Sequence, residues 1–230
     1  MTHHERMAEY VENHLKAVWA ANQEVVPRVA ARIVTAHLNG HRVYAFGSGH
    51  SHMLVEEMYY RAGGLTVVTP IWEPALMLHE DPQEASRLEQ TPGVSETILA
   101  RVPLQAGDVL WLISNSGRNP LIVELALAAK AQKVYVIALT SLNHARAVTP
   151  RSVTRDKLHQ LADAVLDNAG DVGDAGFRVE GVTRPMFPTS TIAGAVLVHW
   201  VWVEVARQLA EAGHPPDVLA SFNVDEGLIR

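Results

Sequence analysis

Apolar positions at Met7, Val11, Leu15, Val18 and Trp19 recur at three- and four-residue steps, the period of one buried helix stripe. Pro27 interrupts the segment, so the pattern predicts two helices, over 4–22 and 26–38, closed by Asn39-Gly40. The pattern then changes. A short apolar run at 43–46 ends at once in GSGHSH (47–52), and a helical segment follows over 53–62, closed by Gly63-Gly64. Residues 65–71 are rich in β-branched side chains and read as the next strand. A helix is expected around 94–101. A continuous apolar run at 109–113 stops at SNSGRNP (114–120), a helix is predicted over 121–131, and strands over 134–139 and 164–166. The stretch 168–188, rich in Gly, Asp and Pro, reads as a long loop before a final helix over 189–212 and a tail from Pro215. Strands that are apolar throughout and alternate with helices predict a parallel sheet covered on both faces. No internal repeat or linker interrupts this order. The expectation is one α/β domain, with a helical arm at 1–39, a core at 40–212 and a tail at 213–230.

Composition narrows the classes. The chain has 230 residues, 48% of them hydrophobic, and that length buries a full core without staples. It contains no cysteine, which removes disulfides, thiolate-held zinc and thiol nucleophiles. Nineteen Lys and Arg against 25 Asp and Glu give a net charge of −6, and no basic run is present. Nucleic-acid binding is therefore not expected. The longest apolar run, 192–203, is shorter than the roughly 20 residues that span a bilayer. The polar N-terminus does not read as a secretory signal. No membrane partner and a cytoplasmic location are the expectations.

In an open parallel sheet, ligands bind beyond the carboxyl ends of the strands where the strand order reverses. GSGHSH and SNSGRN both stand at such ends, immediately before helices. Glycine lets backbone approach a ligand, and first-turn amides lack partners within their helix. With Ser hydroxyls and the positive helix end, those amides suit phosphate. The plain alternative is that these Ser and Asn residues only cap the helices that follow. Neither loop is a Walker A or GxGxxG motif.

Strand-GSGHS-helix, then strand-ISNSGRN-helix, then VIALTS at 136–141, resembles the sugar isomerase (SIS) domain family over about residues 26–210. In layout the chain is similar to stand-alone bacterial members such as the sedoheptulose 7-phosphate isomerases and N-acetylmuramic acid 6-phosphate etherases. The resemblance implies a three-layer α/β/α sandwich with a five-stranded parallel sheet in flavodoxin-like order, and a homodimer or higher homo-oligomer. It implies a phosphosugar ligand, with phosphate contacts from Ser51, Ser114 and Ser116. Asn119 stands where the family commonly has Thr. Ser48, His50 and Asn115 are further binding candidates, and Arg118 either adds charge to the phosphate or is solvated.

Aldose–ketose isomerisation moves a proton between adjacent carbons and needs a general base with an acid or polarising partner. The helix after the first loop supplies Glu56 and Glu57 as candidate bases; the alternative is surface carboxylates, with Glu57 pairing to Arg61 at i+4. His52 and Glu56 share a helix face at the same spacing. His199 lies in an almost wholly apolar helix that is expected to be buried, as acid or base or as a core residue. Glu73, after the second strand, is a substrate contact or a loop charge. His50, His52, His79 and His199 are the imidazoles available for a metal. His50-x-His52 is their one tight pair and HExxH is missing, so no metal or other cofactor is expected. The segment 220–226 is either a cover for the sugar site or a free tail. The expected function is isomerisation of a sugar phosphate with a Glu base. The alternatives are a lyase or etherase of an amino-sugar phosphate and a non-catalytic phosphosugar sensor.

Overall fold

The computed structural model describes residues 2–224. Two helices lead the chain, α1 (His3–Asn22) and α2 (Val25–Leu38). Thr2 starts α1 with a reciprocal cap, its hydroxyl accepting from the Glu5 amide while the Glu5 carboxylate accepts from the Thr2 amide. Strand β1 (Val43–Gly47) runs through a 3₁₀ turn into α3 (His52–Met58), followed by β2 (Val68–Pro70). Helices α4 (Pro82–Glu89) and α5 (Val94–Leu99) precede β3 (Val109–Ile113) and α6 (Pro120–Ala131). Then come β4 (Tyr135–Thr140), α7 (Leu142–Ala147), α8 (Leu158–Leu161) and β5 (Ala164–Asp167). A hairpin of β6 (Ala175–Phe177) and β7 (Met186–Pro188) leads into α9 (Ser190–Glu211).

Strands β1 to β5 form one parallel sheet in the order β2-β1-β3-β4-β5, the expected flavodoxin-like order. Alternate residues feed two cores, as the two-residue period of a strand requires. Val43, Ala45, Trp111 and Leu139 pack with α2, α3 and α9, while Tyr44, Phe46, Leu112 and Ala138 pack with α5 and α6. Both faces are thus covered by helices.

The helix expected over 53–62 stops at Met58, where Tyr59 turns extended and Tyr60 adopts φ 47°. The strand expected over 65–71 shortens to β2, because Leu65 bridges Val218 of the C-terminal segment instead. Pro70, without an N–H, is tolerated on this edge strand. The stretch 168–188 is not all loop. Its hairpin packs aromatics against α1, Phe177 and Phe187 lying 5.6 and 6.0 Å from the Tyr10 ring. Helix α9 is long and apolar enough by length and composition to cross a membrane, yet Leu197, Val198, Val201 and Val205 are core residues packed on the sheet. It is not buried all round, since Val203 is 70% exposed.

Asn22 joins the arm to the sheet. It is fully buried; its amide donates to the Val18 and Asp167 carbonyls at 2.7 and 2.8 Å, and its carbonyl accepts from the Asp167 N–H at 2.9 Å. Asn22→Ala leaves buried backbone groups unpaired, at a cost of about 1–3 kcal/mol. Thermal denaturation should show the midpoint falling by roughly 2–4 °C for each kcal/mol lost. An unchanged midpoint would mean that the arm is not held by this contact.

Candidate functional site

Both glycine-rich loops are bent by local necessity. A Cβ on Gly47 would sit 2.6 Å from the Ser51 carbonyl oxygen, so the chain folds back on itself only with glycine there. In the second loop Gly117 has φ 57°, its N–H donates to Ser114 Oγ at 3.1 Å, and its carbonyl accepts from the Leu158 N–H at 2.8 Å. The loops follow β1 and β3, neighbours in the sheet. The chain leaves β1 for β2 on one side and returns to β3 on the other, which makes the space between their carboxyl ends the switch point of the sheet.

A cavity of about 390 Å³ lies there. Ser48, His50, Ser51, Ser114, Asn115, Ser116 and Asn119 all line it, so every binding candidate from the two loops converges on one space. The capping alternative does not describe them. Ser48, Ser51 and Asn119 occupy N-cap positions without any side-chain cap bond, whereas Thr2, Asp81 and Ser141 cap their helices in the ordinary way. The Asn119 side chain instead donates to Glu89 and accepts from Arg151, each at 3.2 Å. The first-turn amides of α6 are left without a side-chain acceptor from the N-cap.

Arg118 lines the cavity together with Arg151. Burial, and then the neighbouring Arg151 guanidinium, push the Arg118 pKa below its ordinary value. Two guanidiniums crowding one polar space with paired loop hydroxyls make a setting in which an anion relieves their repulsion.

The cavity also holds residues that the sequence reading missed: Glu89, His144, Asn168 and Asp174. Asn168 is buried and donates to Asn115 Oδ1 at 2.9 Å, which fixes the Asn115 amide. Asp174 accepts from both the N–H and the hydroxyl of Ser190 at the start of α9. The rule that sites lie beyond strand ends, applied to β4 and β5 as it was to β1 and β3, points to His144, Asn168 and Asp174. Glu89 at the end of α4 carries no such signal.

Glu56, Glu57 and His199 do not line this cavity. His199, expected to be buried, is 43% exposed and its Nε2 is 2.7 Å from Glu57 Oε1. Glu57 also accepts from Arg61 at 2.9 Å, and Glu56 lies 3.6 Å from His52 Nε2. Because α9 turns its apolar face to the sheet, residue 199 falls on the side turned toward α3 and solvent. Glu73 is engaged with Arg101, away from the cavity. The His52 and His79 rings are 6.0 Å apart, and among the described residues no three His, Asp or Glu side chains gather as a metal site. The C-terminal segment pairs with 63–65 through Leu219 rather than closing the cavity; Asp225 and Glu226 lie outside the described residues.

Fold and site together define an α/β protein with a polar cavity between two paired loops at the switch point of a five-stranded parallel sheet. Residues 7–141 match the family model of the SIS domain. A UPF0309 protein of Halalkalibacterium halodurans is 42% identical over 211 residues, 92% of this chain and 87% of the relative. The chain therefore belongs to the SIS domain family, among the UPF0309 proteins. Among solved structures, a phosphoheptose isomerase from Neisseria gonorrhoeae superposes with a TM-score of 0.52 at 21% identity, covering 89% of this chain and 98% of its own. The NanR protein of Vibrio vulnificus, complexed with ManNAc-6P, gives 0.51 at 16% identity over 91% of this chain and 64% of its own.

Proposed function

We propose that this protein is a cytoplasmic, homodimeric aldose–ketose isomerase of a sugar phosphate, with a glutamate as general base. The observation that carries the reading is the single cavity in which uncapped Ser and Asn side chains, Arg118 and Arg151 meet a carboxylate, Glu89. The phosphate sits on Ser51, Ser114, Ser116 and the first turn of α6, near the guanidiniums. Glu89 serves the carbon end of the sugar, taking the C2 proton and returning it at C1. The phosphoheptose isomerase neighbour has this fold, and the ManNAc-6P complex of NanR links the fold to a phosphosugar. The homodimer accounts for an exposed apolar strip in which the Trp19 ring, 41% exposed, lies tilted 4.2 Å from that of Trp200, with Val203 further along α9.

A second reading moves the base to Glu57, with His199 as its partner. The 2.7 Å hydrogen bond between them favours it. It requires the sugar to reach the α3–α9 face, and a packed second subunit would enclose that face.

A thermal-shift screen against a panel of sugar phosphates tests the shared part of both readings. A ligand at a hundred times its dissociation constant stabilises by about 2.7 kcal/mol. That corresponds to roughly 5–11 °C for a chain of this size. Product analysis of the ligand found then separates an isomer from the carboxylic acid that a lactyl etherase would release, and from the unchanged ligand of a sensor. No shift with any sugar phosphate would overturn the phosphosugar reading.

A further inference from the structure

We propose that His144 is a catalytic residue, a neutral imidazole with its proton on Nε2 that hydrogen-bonds the sugar's carbonyl oxygen while the enediolate forms. The inference rests on the isomerase reading and names the group that polarises the substrate.

His144 is the third residue of α7, the helix that follows β4, and lines the cavity together with both loops. Its Nδ1 accepts from the Gly173 N–H at 2.8 Å. A backbone amide always carries its hydrogen, so this contact reserves Nδ1 as an acceptor. The single proton of a neutral ring is then on Nε2, leaving an N–H donor on a ring that lines the ligand space. Charging the ring would place a second hydrogen on Nδ1, against that of Gly173. Burial first, and then the Arg118 guanidinium on the facing loop, lower the His144 pKa; Asp174 opposes them more weakly. The charged neighbours that face the ring, Arg118 and Asp174, thus leave a net preference for the uncharged form.

A neutral donor suits this step. An imidazolium would release its proton to the oxygen and stall the return. A neutral N–H stabilises the developing negative charge and remains in place. In the forward direction the carboxylate takes the C2 proton, the C2–H electron pair becomes the C1=C2 bond, and the carbonyl pair moves to O1. His144 Nε2–H donates to O1 in this enediolate. The carboxylic acid then returns its proton to C1, and O2 forms its double bond to C2 as its proton passes to O1. Atoms and charge balance without a co-reactant, and His144 begins and ends neutral.

Two experiments test the assignment on the whole protein. In ¹⁵N-histidine-labelled protein, the His144 ring is expected to show the Nε2–H tautomer across about pH 6–8, titrating below the ordinary range for histidine. A Nδ1–H tautomer, or titration at or above that range, would overturn the proposal. In the second experiment, binding of inorganic phosphate and of 5-phospho-arabinonohydroxamate, whose planar group copies the enediolate, is compared in wild type, His144→Ala and His144→Gln. We expect phosphate binding unchanged in both variants. Hydroxamate affinity should drop by about 10–100-fold in His144→Ala, the size of one lost donor to a charged acceptor, with partial rescue in the amide-bearing His144→Gln. Equal loss of phosphate and hydroxamate would make His144 a phosphate contact, and no loss of either would remove it from the site; both overturn the role. Failure of wild type to bind phosphate would instead bring down the phosphosugar reading, and the role of His144 with it.

Discussion

Replacing Ser114 and Ser116 together with alanine is expected to lower the affinity for sugar phosphates by a hundredfold or more, measured by calorimetry or by the ligand-induced thermal shift. Both hydroxyls line the cavity in a loop pinned to its neighbours, so they are held in place before the ligand arrives. Each hydrogen bond to a charged acceptor contributes about 1.5–3 kcal/mol. Losing two removes about 3–6 kcal/mol, or roughly two to four decades of affinity. Ser114 also accepts from the Gly117 N–H at 3.1 Å, so its loss could loosen the turn as well as the ligand contact. Ser116→Ala alone avoids that ambiguity, because the Ser116 hydroxyl has no comparable role in the turn. A tenfold or greater loss in this single variant, with an unchanged denaturation midpoint, assigns the effect to the ligand. Affinity unchanged in the double variant would mean that the loop is not the phosphate cradle.

The sheet was legible because its strands are buried on both faces. The runs at 43–46, 109–113 and 134–139 are apolar without alternation, and only a parallel strand between two helical layers asks for that pattern. The two loops were legible for a related reason, since small and hydroxyl residues that interrupt such runs have few other uses. What stayed hidden depends on contacts between distant segments. The edge strand β2 loses its first residues to Val218, far away in the chain. The β6–β7 hairpin forms on the aromatic side chains of α1 and is invisible to local periodicity in a Gly- and Asp-rich stretch.

The candidate bases show the same limit more sharply. Glu56 and Glu57 follow the first loop closely, and adjacency in sequence suggested a place in the cavity wall, which they do not take. Helix α3 buries Leu54, Val55 and Met58 against the sheet and α9, which turns Glu56 to solvent and Glu57 to His199 on α9, both away from the cavity. The helical period that identified the buried face therefore also fixed the direction of the glutamates. Glu89 reaches the cavity from α4, whose placement is set by tertiary packing alone.

Glu89→Gln is expected to lower kcat by about 10²–10⁴-fold, the usual contribution of a positioned general base. The substitution preserves shape, and an amide oxygen can still accept from Asn119 Nδ2, now at 3.2 Å from the carboxylate. KM should change by only a few-fold, because phosphate recognition rests on the loops rather than on this side chain. Incorporation of solvent deuterium at the sugar C1 and C2 carbons gives a second readout, since it follows proton abstraction directly and should fall in parallel with kcat. Glu57→Gln provides the opposing case. It removes the negative charge that faces His199 at 2.7 Å and Arg61 at 2.9 Å without touching the cavity wall. If deuterium incorporation collapses in Glu57→Gln and survives in Glu89→Gln, the base belongs to the α3–α9 face, and the sugar must extend beyond the cavity to meet it. If it collapses only in Glu89→Gln, the reaction is complete within the cavity of one chain, and the Glu57–His199 pair serves to hold α3 against α9.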